Sequence, residues 1–146
     1  MKLAARIAAI EFVGDEVRLA VIKTSGKLPR VLELHCGQAT YDDPEKRKEA
    51  LIEAVQDVVG RMESTPAAYV LCLSSFHSVV RSLTIPFKGR RRVAGAVRFE
   101  LERYLAFPIE ELIVDFFPVL EVEGQTEVLA LGVRREVLCE QLEILS

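Results

Sequence analysis

Three carboxylates, Glu11, Asp15 and Glu16, lie around Gly14 in the stretch "EFVGDE". A carboxylate can hold a metal-bound water, and a glycine lets backbone amides approach a phosphate. Several like charges facing a polyphosphate are unfavourable unless a metal bridges them, so the stretch reads as a phosphate hairpin with too much negative charge. A second candidate is the basic run Lys88-Gly89-Arg90-Arg91-Arg92. If it opens a helix, its arginines meet the positive end of the macrodipole, an arrangement that a partner carboxylate or an anionic lipid headgroup would relieve. A solvated turn is the plain alternative, because exposed charges cost little. Gly26-Lys27 lacks the upstream glycine of a P-loop. His35 and Cys36 are the types of a base and a nucleophile, but neighbours on a strand point to opposite faces and cannot meet. His77 has no partner in the sequence pattern, and no residue set has metal-ligand spacing.

These side chains are positioned by elements legible in the hydrophobic pattern. Apolar-rich runs on either side of Gly14-Asp15-Glu16 predict a β-hairpin, and "PRVLELHCG" predicts a third strand. Its wet face would carry Val31, Glu33 and His35 and its buried face Leu32, Leu34 and Cys36. Gly26 would supply the turn between the second and third strands. Asp43 as N-cap, Pro44 at the first position and Glu45 near the positive pole predict a helix, with Leu51, Val55, Val58 and Met62 as its inner stripe. "AAYVLCLSS" is apolar almost throughout, the pattern of a central strand covered on both faces. The second half predicts a strand closed by Pro86, then a helix with Val93, Val97, Leu101 and Tyr104 inward that is ended by Pro108. A hairpin turning at Glu123-Gly124-Gln125 follows, then a last helix. The order is β-β-β-α-β over residues 1–76 and β-α-β-β-α over residues 77–146, an α+β chain. Neither half is comfortably stable alone at this size, so one continuous core is expected.

Of 146 residues, 50% are apolar and 28% charged, which places the chain among globular proteins. A net charge of -3 removes the general electrostatic argument for nucleic acid. The charge is uneven, however: seven basic residues fall between Arg81 and Arg103, whereas nine acids and only Arg134 and Arg135 follow. Three cysteines without paired spacing read as reduced, buried thiols of a cytosolic protein. The opening "MKLAARIAAIEF" imitates a signal peptide, but Arg6 and Glu11 interrupt its apolar run. No stretch approaches the roughly 20 apolar residues of a membrane span, so membrane contact is expected only through a partner.

With that order in hand the chain resembles the N-terminal part of PilM, the actin-like protein of type IV pilus assembly, and more distantly GspL of type II secretion and FtsA of cell division. The residues that carry the resemblance are Arg81-x-Leu83-x-Ile85-Pro86, then Phe99-Glu100-x-Glu102-x-Tyr104-Leu105 running into Phe107-Pro108, then Glu110-Glu111-Leu112 and Asp115-Phe116. The resemblance implies a partial actin-like, ribonuclease H-like unit over residues 1–76, followed by an inserted strand-helix-strand-strand module over residues 77–146. In the PilM pattern the first hairpin is similar to "GIDIGSSSVK". Here Glu11 stands where the pattern has the metal-binding Asp, Val13 replaces the glycine, and Gly14, Asp15 and Glu16 replace the serines; a slip of one would put Gly14 in the glycine's place but lose the match of Glu11. The hairpin is expected to keep the fold without the site, leaving no cofactor and no metal.

Actin-like proteins also close ATP between two lobes, and these 146 residues end before the second, so no catalysis by them is expected. The resemblance implies a cytoplasmic scaffold at the inner face of the inner membrane. It would recognise the cytosolic tail of an inner-membrane pilus or secretion protein and could self-associate. Arg81, Lys88, Arg90, Arg91 and Arg92 are the candidate partner-binding residues. The competing reading is a piece of a nucleotide-dependent actin-like ATPase.

Overall fold

The computed structural model describes residues 6–25 and 28–146, and the turn assigned to Gly26 lies outside them. Two compact units emerge, one built from the residues up to Ser74 with Leu142–Ser146, the other from Ser75–Gln141.

In the first unit, strands β1 (Arg6–Val13), β2 (Glu16–Lys23) and β3 (Arg30–Gln38) precede helix α1 (Arg47–Gly60) and strand β4 (Ala68–Cys72). The sheet order is β3-β2-β1-β4. The first three strands form an antiparallel meander, and β4 runs parallel to β1. Period-two alternation turns Ala8, Ile10 and Phe12 of β1 and Val17, Leu19 and Val21 of β2 inward. The cluster built by Ile10, Phe12, Val17, Leu19 and Val21 is closed by Leu51, Val55 and Val58 of α1. Asp43 caps a 3-10 turn, Pro44–Lys46, accepting from the Glu45 N–H at 3.0 Å, and α1 proper starts three residues later than the capping pattern predicted. A tightened first turn is common at helix starts.

Two sequence expectations are corrected here. The faces of β3 are reversed: Leu34 is 73% exposed and Cys36 is exposed, while Glu33 and His35 are half-buried. The cause is Gly37, over which α1 passes so closely that an added Cβ would stand 2.9 Å from Val58 Cγ1 and 3.1 Å from the Ala54 carbonyl oxygen. That puts the face of Glu33, His35 and Gly37 on the helix side. The polar residues there are satisfied. The Glu33 carboxylate accepts from the N–H groups of Glu63 and Ser64, each at 2.9 Å, and lies 3.0 Å from His35 Nε2. Strand β4 is the second correction. It is an edge strand, bonded only to β1 among the described residues, with Tyr69 56% and Val70 44% exposed. The right length and composition for a central strand came with a crossover that returns beside β1 and leaves the far edge of β4 open.

Glu33 gives the first expected result. The Ser64 hydroxyl, His35 and the two backbone N–H groups hold its carboxyl down to about 2 from an ordinary 4.5. A lowered folded-state pKa contributes stability that is complete above pH 4.5 and is lost as pH falls toward 2. Acid titration followed by circular dichroism should show Glu33→Gln to be less stable at neutral pH, with its difference from the parent vanishing across that window.

The second unit comprises β5 (Ser78–Ile85), α2 (Arg90–Glu102), β6 (Leu112–Val122), β7 (Gln125–Arg134) and the first part of α3 (Arg135–Leu145). Its antiparallel sheet has the order β5-β7-β6. Val93, Val97 and Leu101 of α2 pack on Leu83, Ile85, Val128 and Ala130. Tyr104, expected on the same stripe, is 56% exposed, because α2 ends at Glu102 and tightened turns carry the chain off the helical path before Pro108. The β6–β7 turn is Glu123-Gly124, with φ of 45° and 89°, the primed geometry that suits two-residue hairpins; Gln125 already belongs to β7.

Each unit has its own cluster of buried residues, because each sheet closes one face with its own helix. The end of α3 belongs with the first unit: Ile144 joins that cluster, and Glu143 pairs with Lys48 at 2.7 Å.

Candidate functional site

At the β1–β2 tip, Gly14 adopts φ +63°, which lets the chain reverse between the paired residues Val13 and Glu16. Every charged group at this tip is already engaged. Arg18 lies opposite Glu11 across the hairpin, 4.0 Å from its carboxylate, and donates to both oxygens of Glu16 at 3.1 and 3.0 Å. The Asp15 carboxylate accepts from the Tyr41 hydroxyl at 2.9 Å and from Arg47 Nε at 2.8 Å. Arg47 also donates to the Gly14 carbonyl at 2.9 Å, and the Ala39 N–H to the Asp15 carbonyl at 2.8 Å. These partners hold the Asp15 carboxyl below its ordinary range, the Tyr41 hydroxyl first and Arg47 second, and Arg18 does the same for Glu16.

A phosphate arriving here would meet three carboxylates, and both guanidiniums within reach are already spoken for. Val13, at the position of the expected glycine, ends β1 and is 40% exposed. Tyr41 and Arg47 were invisible to sequence reasoning at this site, 26 and 32 residues from Asp15; the two extra acids at the bend were the only signal that a cationic partner was needed. Among the described residues no group of three or more His, Cys, Asp or Glu could hold a metal ion.

The cysteine reading is corrected. Cys36 and Cys139 are exposed, and only Cys72 is half-buried, its thiol pushed up by that burial. His35 is engaged with Glu33, not with Cys36.

The basic residues do not gather into one patch. Arg81 lies mid-strand in β5 opposite Ala130 and donates to the Val80 carbonyl at 2.9 Å. Four residues of extended chain, about 13 Å, separate it from the strand end that leads to α2. Lys88 and Arg90–Arg92 do share a loop and a first helical turn. Gly89, the N-cap residue, has φ 86° and no capping side chain, and no acid occupies the first turn. Arg90 is stacked 5.5 Å from the centroid of the Phe116 ring. Arg92 lines a shallow groove of about 340 Å³ with Phe87, Gly95, Ala96 and Phe99. None of the ion pairs among the described residues uses Lys88, Arg91 or Arg92. Of the groove residues, Arg92 and Phe99 were singled out from sequence, whereas Phe87, Gly95 and Ala96 were not, although Gly95 inside a helical pattern was a readable sign.

No protein-family model and no curated protein matches the chain. Solved structures do. A chain of the PilM–PilN type IV pilus biogenesis complex matches with a TM-score of 0.75 and 25% identity, over 95% of this chain and 43% of its own length. The cytoplasmic domain of EpsL, an inner-membrane component of the type II secretion system of Vibrio cholerae, matches with a TM-score of 0.61 and 17% identity, over 96% of this chain and 52% of that one. The chain thus spans about half, or less, of the length of these neighbours.

Proposed function

Since the chain is PilM-like in fold, we propose that it is a cytoplasmic scaffold module of a type IV pilus or type II secretion assembly platform, which recognises a short cytosolic segment of an inner-membrane partner. The observation that carries this reading is the likeness to the PilM–PilN complex over 95% of the chain. Among the described residues no helix is long and apolar enough to cross a membrane, in keeping with recruitment through a partner. Lys88, Arg91 and Arg92, free of ion pairs, are the proposed contact, with Arg90 held against Phe116 and Arg81 apart from them.

Co-purification from the native cell tests this. An inner-membrane pilus or secretion protein is expected in the complex, and replacing Arg90, Arg91 and Arg92 together by Gln is expected to weaken its capture and flatten the salt dependence. Recovery of no such protein, or equal capture by the triple variant at low and high salt, overturns the reading.

The module is further proposed to act without nucleotide. Asp15 is committed to Arg47 and Tyr41, and Glu11 and Glu16 to Arg18. Calorimetry with ATP and magnesium should detect no binding in the micromolar range; a micromolar affinity would restore the ATPase reading.

A further inference from the structure

The two sides of α2 differ in kind. Val93, Val97 and Leu101 repeat every four residues and are buried. At about 100° per residue, Arg91, Arg92, Gly95, Phe99 and Arg103 fall on the opposite side. Phe99 is 72% exposed there; Phe87, in the loop before the helix, and Tyr104, just after it, are 45% and 56% exposed. None of the ion pairs among the described residues uses Lys88, Arg91 or Arg92. Basic and aromatic side chains thus interleave along one exposed surface of the second unit.

Two features set this surface apart from an ordinary solvated helix. The first turn holds three arginines with no acid and no capping side chain, so its charges sit against the positive pole of the helix, where anions from outside would offset them. Gly95 weakens the helix interior relative to alanine, yet an added Cβ would meet no atom within 4 Å, so internal packing does not require it. Gly95 and Ala96 line the groove between Phe87 and Phe99. Nothing bulky there shields the two rings from a surface that approaches from outside.

We propose that the outer side of α2 docks directly on an anionic lipid bilayer, with Lys88, Arg91 and Arg92 among the headgroup phosphates and the Phe87 and Phe99 rings at the boundary between headgroups and acyl chains. Charge complementarity decides the occupant. An anionic leaflet presents many negative groups in no fixed geometry, which suits long, unpaired basic side chains, and exposed rings beside them suit the headgroup level. Phosphate in solution would engage the charges and leave the rings in water. The acids beside the surface limit it: Glu102 shares the outer side, Glu100 pairs with Arg103 at 3.0 Å, and Glu121 and Glu123 lie at the β6–β7 turn, whose Thr126 hydroxyl donates to the Phe87 carbonyl. Binding is therefore expected to need a high proportion of anionic lipid. A lipid contact goes beyond the partner recognition proposed above, and a partner segment emerging from the membrane would reach the same basic residues at headgroup level.

The test is cosedimentation of the purified chain with protein-free vesicles of phosphatidylcholine carrying increasing phosphatidylglycerol. The chain should stay in solution with phosphatidylcholine alone and pellet as phosphatidylglycerol approaches half of the lipid, and salt at about 1 M should release it. Lys88→Gln, Arg91→Gln and Arg92→Gln combined should lower partitioning on the order of tenfold or more, whereas Glu102→Lys should raise it. The sequence holds no tryptophan, so Phe99→Trp adds a single reporter. Its fluorescence should shift to the blue with anionic vesicles but not with inorganic phosphate, which separates entry into a bilayer from neutralisation of charge. Glu102→Lys and Phe99→Trp keep the test in force if the triple variant loses its circular dichroism spectrum. A parent chain that ignores vesicles of equal parts of the two lipids, a folded triple variant that binds like the parent, or a reporter without a shift would each overturn the proposal. Capture of an inner-membrane protein from detergent extract by a chain that ignores vesicles would leave partner recognition standing and overturn the lipid contact, so the two readings fail separately.

Discussion

Leu101→Ala is expected to destabilise the second unit by about 2–5 kcal/mol. Leu101 is fully buried and belongs to the cluster of Val93, Val97, Ile85, Leu112 and Val128. Truncation removes the transfer free energy of its side chain and leaves a cavity that a short helix over three strands cannot collapse into without disturbing Val97. Gly132 lies on the strand beneath: an added Cβ there would stand 2.8 Å from Leu112 Cδ1 and 3.5 Å from Leu101 Cδ2, so leucine methyls already fill the space a side chain would take. Urea unfolding followed by hydrogen exchange should place the loss in β5, β6, β7 and α2. A midpoint within a few tenths molar of the parent would mean that the site relaxes far more than this packing allows.

Gly37→Val is expected to destabilise the first unit by about 1–3 kcal/mol or more, the range for overpacking. The closest obstacle, Val58 Cγ1 at 2.9 Å, could rotate away; the Ala54 carbonyl oxygen at 3.1 Å is backbone and can yield only if α1 lifts from the sheet. Valine adds two further methyls to that conflict. The control is Gly60→Ala at the end of the same helix, where an added Cβ meets nothing within 4 Å. That change should be neutral or stabilising by up to about 1 kcal/mol. Comparable thermal melts for the two variants would show that the helix passes Gly37 at a greater distance.

The two variants also mark where local pattern stops being informative. The alternation of Val31 to Cys36 permits either face of β3 to turn inward. The choice fell to the helix that covers it. With Gly37 as the point of closest approach, the face bearing Glu33 and His35 goes under α1, and Leu34 is left in solvent. Apolarity alone favours the opposite arrangement. The loop after α1 makes that arrangement tolerable by offering two N–H groups to Glu33, contacts across 30 and 31 residues that no window of sequence contains.

Sequence by itself determined the order and type of the elements, the α+β class and the PilM-like resemblance that the structural neighbours then matched. Those depend on hydrophobic period, caps and turn residues acting within a few positions of one another. It also showed that the bend of the first hairpin carries Val13, Asp15 and Glu16, and so a surplus of acid that calls for cationic partners. Tertiary structure alone decided which groups neutralise those acids, that β4 lies at an edge, and that Arg81 stands apart from Arg91 and Arg92. Each of these depends on chain segments brought together from far apart, where the free energy of covering one face outweighs the preference of any single residue.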